Sequence, residues 1–195
     1  MNIPSPIQNV LTTLKSAGFE AFVVGGSVRD MLRGASPKDW DVTTSARPED
    51  IQKLFPEHVY ENTFGTVSVK TGSEDPTLAL VEVTPYRVEG TYSDRRHPDA
   101  VSFAQTLEED LSRRDFTINA IALGDDGAII DPFEGQKDIR DGTIRTVGDP
   151  RGRFGEDALR ILRAARLSAE LGYGIEPETL AAMRELGPTL EAISV

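Results

Sequence analysis

Cysteine is absent from this chain of 195 residues. Disulfides and thiolate metal sites are thereby excluded, and a cytosolic, cytoplasmic address is expected. Long apolar runs are missing as well. No stretch of about 18 hydrophobic residues occurs, so no membrane span and no membrane partner are expected. The opening residues, MNIPSPIQNVLTTLKSAG, lack the basic start and apolar centre of a secretory signal. Positive charge is also in short supply: 21 Lys and Arg stand against 32 Asp and Glu, a net charge of −11. Averaged over the chain, that balance argues against a nucleic-acid partner, whose phosphates reward Lys and Arg. The average hides basic clusters at Arg95-Arg96, at Arg113-Arg114 and between Arg151 and Arg166, and a globally acidic protein can hold a basic cleft. The acidity reads as a solubility feature, with strong RNA binding needing more than this chain. Internal repeats and low-complexity segments are lacking.

What remains is an ordinary globular composition, long enough for one domain and a small appendage. Ile7, Val10, Leu11 and Leu14 keep helical spacing up to Gly18. Phe19–Val24 is an apolar run stopped by Gly25-Gly26, which predicts a buried strand, and Ser27–Arg33 reads as a short helix closed near Gly34. Asp39–Thr43 alternates like a strand. A helix is expected over Pro48–Phe55, with Pro48 in its first turn. Strands are expected over Gly65–Lys70, Leu78–Thr84 and Ala128–Asp131. Glu89–Pro98 reads as a mobile loop, and Leu107–Ala122 as helical and then apolar. Beyond about Thr146–Arg153 the pattern turns to long helices, Glu156–Leu171 and Pro177–Leu186. The expected layout is a mixed α/β (α+β) domain over 1–147 and a helical segment over 148–195. Glu191–Val195 has no natural helix stop, so the chain is expected to be part of something longer.

Two carboxylates, Asp39 and Asp41, lie two residues apart. On a strand they share a face and repel one another unless a cation sits between them, which makes them natural Mg²⁺ ligands. A polar strand edge gives the same pattern. Gly25-Gly26, between an apolar run and a helix, lets backbone N–H groups approach a phosphate, with Arg29 on the helix's first turn within reach of the same anion. An ordinary strand-to-helix turn is the plainer reading. Together the two features describe a site for a metal-bound triphosphate. Glu82, on an apolar strand, either joins the pair or faces solvent.

The run Phe22-Val23-Val24-Gly25-Gly26-Ser27-Val28-Arg29-Asp30, followed by Asp39-Trp40-Asp41, resembles the signature of the nucleotidyltransferase superfamily. More narrowly it resembles the class II branch, the bacterial tRNA CCA-adding enzymes and their relatives the poly(A) polymerases. The resemblance implies a mixed β-sheet head with flanking helices followed by a short helical neck. It implies Mg²⁺ on Asp39 and Asp41 and the triphosphate on Gly25, Gly26 and Arg29, with Glu82 carried along as a candidate third catalytic carboxylate.

Three further blocks carry the likeness. Arg113-Arg114-Asp115-Phe116-Thr117-Ile118-Asn119-Ala120 sets a cation pair beside a carboxylate, which suits a phosphate and a ribose hydroxyl but also describes a solvated charge cluster. It resembles the second family motif, in which the residues matching Arg114 and Asp115 contact the nucleotide and Asp115 reads the sugar. Asp131-Pro132-Phe133-Glu134-Gly135 with Asp138 resembles the third, a head–neck link with no direct chemistry. From Glu156 to Arg166, helical spacing puts Ala158, Ile161, Leu162, Ala165 and Ala169 on one face and Asp157, Arg160, Arg163 and Arg166 around the other. Spacing alone favours a solvated face with weak i,i+3 ion pairs. The likeness to the family's EDxxRxxR element implies instead that Asp157 and Arg160 read the Watson–Crick edge of CTP or ATP, with Arg163 and Arg166 also on the nucleotide. GTP and UTP present the reverse donor–acceptor pattern.

The implied activity is Mg²⁺-dependent, template-independent addition of CMP and AMP to the 3′ end of tRNA by a monomeric chain. A poly(A) polymerase, an A-only or C-only enzyme, or a nucleotide-binding module without catalysis are the alternatives. The resemblance implies that family members continue into a helical body and tail that grip tRNA, which these 195 residues are expected not to include. Weak tRNA binding is the expectation.

Overall fold

The computed structural model describes residues 2–61, 65–90 and 101–192. The basic pair Arg95-Arg96 and most of the expected loop over Glu89–Pro98 lie outside those residues.

The apolar stripe of the N-terminal segment forms α1 (Ser5–Ser16), with Ile7, Val10, Leu11 and Leu14 buried. The run that follows forms β1 (Ala21–Val24) and then α2 (Gly26–Leu32). Next come β2 (Asp41–Thr44), α3 (Pro48–Leu54), β3 (His58–Glu61), β4 (Thr66–Lys70) and β5 (Leu80–Pro85). A hairpin of β6 (Arg87–Glu89) and β7 (Val101–Phe103) precedes α4 (Leu107–Ser112). Thr106 and Glu109 form a reciprocal capping box that starts α4. The expected helix over Leu107–Ala122 is thus one short helix, then a 3-10 turn (Thr117–Asn119) and β8 (Ala122–Leu123). After β9 (Ile129–Ile130) come α5 (Gly135–Asp141) and β10 (Thr143–Ile144).

Seven strands form one mixed sheet in the order β3-β4-β5-β2-β1-β8-β9. β2 and β5 run parallel, and the neighbouring pairs run antiparallel. One face carries the main core: Val23, Val42, Val67 and Val83 meet α1 and Ile51 of α3. The other face holds a smaller cluster, Val24, Leu111 and Ala122, beside the strand ends that carry the charged residues.

The C-terminal segment contains α6 (Pro150–Glu156), α7 (Leu159–Leu171), β11 (Gly174–Ile175) and α8 (Pro177–Leu186). The helix expected over Glu156–Leu171 is broken. Asp157 is extended, at φ −136° and ψ 106°, and joins α6 to α7. The expected apolar face is also out of phase: Ile161, Ala164 and Leu167 are buried, whereas Leu162 is 53% exposed and Ala165 and Ala169 are exposed. The phase follows the packing of α7 on the main core, which continues through Phe154 and Ala182 without a gap. β10 and β11 pair in parallel, Thr143 with Gly174 and Ile144 with Ile175. The chain therefore leaves the sheet region through α6 and α7 and is stitched back to it.

Candidate active site

Residues at the ends of β1 and β2, on α2, in the segment after α4, and on α7 converge on two adjoining clefts. The first, about 300 Å³, is lined by Gly25, Gly26, Asp41, Arg87, Arg113, Arg114, Asp115, Asn119, Asp157, Arg160 and Arg163. The second, about 820 Å³, is lined among others by Gly26, Arg29, Arg33, Lys38, Asp39, Asp41, Asn119, Arg163 and Arg166. Gly26, Asp41, Asn119 and Arg163 belong to both, so the clefts meet beside Asp41. Apart from Glu82, every residue given a catalytic or nucleotide-binding role from the sequence lines one cleft or the other.

Asp39 does not lie on the strand as expected. β2 begins at Asp41, and Asp39 sits in the bend before it, exposed. Trp40 between them is 3% exposed, an apolar anchor that leaves the two carboxylates at the cleft. Glu82 pairs directly with Asp41 across the parallel β2–β5 ladder and is exposed to solvent. Burial pushes the Asp41 carboxyl up to about 6, Arg114 pulls it back, and Glu82 and Asp39 add to the rise. An anionic Asp41 is thus an unfavourable neighbour for its own site, and a bound cation relieves it. Among the described residues no three His, Cys, Asp or Glu side chains close on a common point. Mg²⁺ requires only one or two carboxylates beside substrate phosphates and water, so the donor set fits that ion.

Gly25 has φ +79° and ψ −140°. A Cβ there would lie 3.1 Å from Asp41 Oδ2 and 3.5 Å from Arg114 Nη1, so the bare backbone keeps a gap between a carboxylate and a guanidinium. Arg114 is held from behind by Asp110, which is fully buried. Arg114 Nη2 donates to Asp110 Oδ2 at 3.2 Å, and Arg113 Nη2 donates to Oδ1 at 2.8 Å. Thr43 Oγ1 and the Arg87 N–H donate to the same carboxylate at 3.1 and 3.3 Å. Burial works against that charge, but Arg114 and Arg113 hold Asp110 below the usual carboxylate range. Arg114 Nε is buried without a hydrogen-bond partner among the described residues.

Asp115 accepts from the Phe116 N–H at 2.9 Å and Asn119 Nδ2 at 3.4 Å through Oδ1, and from Arg163 Nε at 2.8 Å through Oδ2. Arg29 donates from Nη1 to Asn119 Oδ1 at 2.8 Å and from Nε to Asp30 Oδ1 at 2.9 Å. Asp157 accepts the Leu159 N–H at 2.9 Å through Oδ1 and so caps α7 from outside the helix. Its carboxyl is raised by burial, with the Leu159 N–H, Arg160 and Arg163 opposing and Asp115 adding. Arg160 is 7% exposed and donates to the Arg153 carbonyl at 3.1 Å and to Glu156. Arg153 in turn donates to the carbonyls of Ser112, Arg113 and Val147 and locks α6 against the segment that carries Arg114. Arg166 pairs loosely with Glu170 at 3.8 Å.

The third block takes no part in either cleft. Asp131 accepts the N–H groups of Gly135 and Gln136, and buried Asp138 accepts from Thr117 and Arg145. Sequence reasoning missed Asp110 and Asn119. Asp110 precedes Arg113 and Arg114 by three and four residues, a helical ion-pair spacing that was there to be found. Asn119 meets Arg29 across 90 residues, and no local pattern signals that.

Comparison with known proteins bears on the family and the fold. Residues 21–145 match the family model described as the poly A polymerase head domain. The CCA-adding enzyme of Leuconostoc mesenteroides subsp. mesenteroides is 48% identical over 194 residues, covering 96% of this chain and 46% of that protein. The crystal structure of the Bacillus stearothermophilus CCA-adding enzyme in complex with CTP superposes with a TM-score of 0.87 at 42% identity, over 98% of this chain and 46% of that one. A tRNA nucleotidyltransferase complexed with a primer tRNA and an incoming ATP analog gives 0.74 at 31%, over 92% and 50%. The chain spans about half the length of the curated relatives it matches. Over the residues that carry the glycine turn and the carboxylate pair, this chain belongs to the poly A polymerase head-domain family.

Proposed function

We propose that this chain carries the nucleotide-binding and catalytic part of a CCA-adding enzyme, which transfers CMP and AMP from CTP and ATP to the 3′ end of tRNA. The observation that carries the reading is the meeting of two clefts at Asp41: one bounded by Asp115, Asp157 and Arg160, the other by Arg29 and Asp39. That layout accommodates a base and sugar on one side of the reacting phosphate and the rest of the triphosphate on the other. Relatives described with CTP, and with a primer tRNA and an ATP analog, support the choice of substrates.

In this reading residues 1–147 hold the metal and phosphates, and 148–195 supply the base-reading side chains. Asp39 and Asp41 hold Mg²⁺, with Glu82 beside them. A bound Mg²⁺ supplies Lewis acidity, which favours ionisation of a 3′-hydroxyl and offsets charge on the leaving group. Gly25 and Gly26 leave room for the phosphates, and Arg29 and Arg114 neutralise them. Asp115 orients the ribose. Asp157 accepts from the exocyclic amine of cytosine or adenine, and Arg160 donates to a ring nitrogen or carbonyl. Arg163 and Arg166 border the nucleotide. The RNA 3′-hydroxyl attacks the α-phosphate, a new phosphodiester forms, and pyrophosphate departs.

The test is incubation with Mg²⁺, each NTP and a tRNA lacking its terminal CCA, read as product length on a sequencing gel. Addition of C, C and A is expected with CTP and ATP together. Long A tracts would replace the reading by poly(A) synthesis, products of A alone or C alone by a single-nucleotide enzyme, and nucleotide binding without extension by a binding module.

Gly25→Ala probes the phosphate gap. The left-handed backbone and the 3.1 Å approach to Asp41 together predict a stability loss of about 1–3 kcal/mol in a denaturant melt. Affinity for CTP should fall in parallel. Unchanged affinity would remove Gly25 from the site.

A further inference from the structure

A chain of four hydrogen bonds crosses the cleft from α2 to α7. Asp30 Oδ1 accepts from Arg29 Nε at 2.9 Å, and Arg29 Nη1 reaches Asn119 Oδ1 at 2.8 Å. Asn119 Nδ2 reaches Asp115 Oδ1 at 3.4 Å, and Asp115 Oδ2 accepts from Arg163 Nε at 2.8 Å. A guanidinium only donates and a carboxylate only accepts, so the two ends of the Asn119 amide have one consistent assignment.

Asn119 is 9% exposed and lines both clefts. It ends the Thr117–Asn119 turn, whose frame is stiff. The Asn119 N–H bonds the Phe116 carbonyl at 2.9 Å, Thr117 Oγ1 bonds the buried Asp138 at 2.6 Å, and Ile118 is fully buried. A buried amide is costly unless both ends are used, and here each end holds a different charged group.

We infer that Asn119 is a positioning residue that keeps Arg29 and Asp115 in one register, so that the grip on the triphosphate and the reading of the ribose are coupled. The inference rests on the roles proposed above for Arg29 and Asp115. An anion that draws Arg29 towards it pulls on the Asn119 oxygen, and the amide's other end sets the Oδ1 of Asp115. The carboxylate is then aligned for a 2′-hydroxyl when a triphosphate is in place. An amide that serves only to satisfy buried charge would stabilise the fold without distinguishing one sugar from another.

The experiment measures equilibrium binding of CTP, dCTP and inorganic triphosphate, with Mg²⁺, to the whole chain. Wild type is compared with Asn119→Ala, Asn119→Asp, Arg29→Ala and the Arg29→Ala/Asn119→Ala double variant. Asn119→Ala should reduce the preference for CTP over dCTP by about tenfold. Arg29→Ala should reduce it too, and the double variant should lose no more than Asn119→Ala alone. Asn119→Asp is isosteric and keeps the acceptor for Arg29 but turns an oxygen towards Asp115. It should lose the sugar preference, and it carries the test if Asn119→Ala does not fold. Equal weakening of CTP and dCTP in the Asn119 variants, or a full sugar preference in Arg29→Ala, would overturn the coupling. Asp115→Ala separates the two levels. If it erases the preference while the Asn119 variants keep it, the coupling alone fails; if it leaves the preference intact, the ribose role of Asp115 fails and the coupling falls with it.

Discussion

Asp41→Asn is expected to lower nucleotidyl transfer by about three orders of magnitude or more and, in the same protein, to raise stability at neutral pH. Both effects follow from one carboxylate. Burial lifts its pKa to about 6 from a normal value of 3.8, with Glu82 and Asp39 adding and Arg114 opposing. A folded-state value above the unfolded one means that the fold prefers the protonated acid. Below about pH 4 the group costs nothing; the penalty grows as pH rises towards 6 and is complete above it. At 1.36 kcal/mol per unit this amounts to about 2–3 kcal/mol, which the neutral amide avoids. Denaturant melts of the two proteins should therefore separate between about pH 4 and pH 6, stay a constant distance apart above that, and converge in acid. Mg²⁺ should raise the melting temperature of the wild type more at about pH 8 than at about pH 5, where protons compete, and should have little effect on Asp41→Asn. A variant that retained a tenth of the transfer activity, or that lost stability at neutral pH, would remove Asp41 from the metal site.

The second large effect is on base choice. Asp157→Ala should leave Mg²⁺ and triphosphate binding intact, because those groups depend on the sheet region. It should erode the preference for CTP and ATP over GTP and UTP by about one to two orders of magnitude, the worth of a bidentate base contact at roughly 1–3 kcal/mol. Asp157 also caps α7 through the Leu159 N–H, so a stability loss of about 1 kcal/mol is expected beside the change in selectivity. Asp157→Asn isolates the change in selectivity, since it keeps a capping oxygen and removes the charge. Incorporation of all four NTPs by the three proteins decides between the roles. Lower stability with wild-type nucleotide preference would leave Asp157 as a cap and nothing more.

Much of this site was legible because its parts are local. An apolar run that meets two glycines forms β1 and α2, and two acids astride a tryptophan mark the start of β2. The break between α6 and α7 was not legible. Glu156-Asp157-Ala158 holds no glycine or proline, and helical periodicity runs straight through it. What breaks the helix is tertiary: Arg153 ties α6 to the carbonyls of Ser112 and Arg113, and Asp157 begins α7 afresh. The new start shifted the buried face from Leu162 and Ala165 to Ala164 and Leu167, and alanines on every side offered no contrast to reveal it. Asp157 and Arg160 nevertheless reach one cleft, by a different route from the shared helical face their spacing suggested. The two-residue strands β8, β10 and β11 are too short to carry a periodic signal, whereas β9 falls inside the strand expected over Ala128–Asp131.

The pairing of β10 with β11 bears on how the molecule comes together. It is a non-local closure, and the intervening α6 and α7 must be docked before it can form. Gly174 donates to the Gly142 carbonyl, Glu176 donates to the Ile144 carbonyl, and Thr146 leans on Thr179, so the return is fastened at several points. Its closure carries a loop-entropy cost, as does the longer-range pairing of β1 with β8 beside the same cleft. A nucleotide that binds only the closed cleft draws on the cooperativity of the whole chain. Its affinity should register as a shift of the global unfolding transition, not as a local quieting of α7.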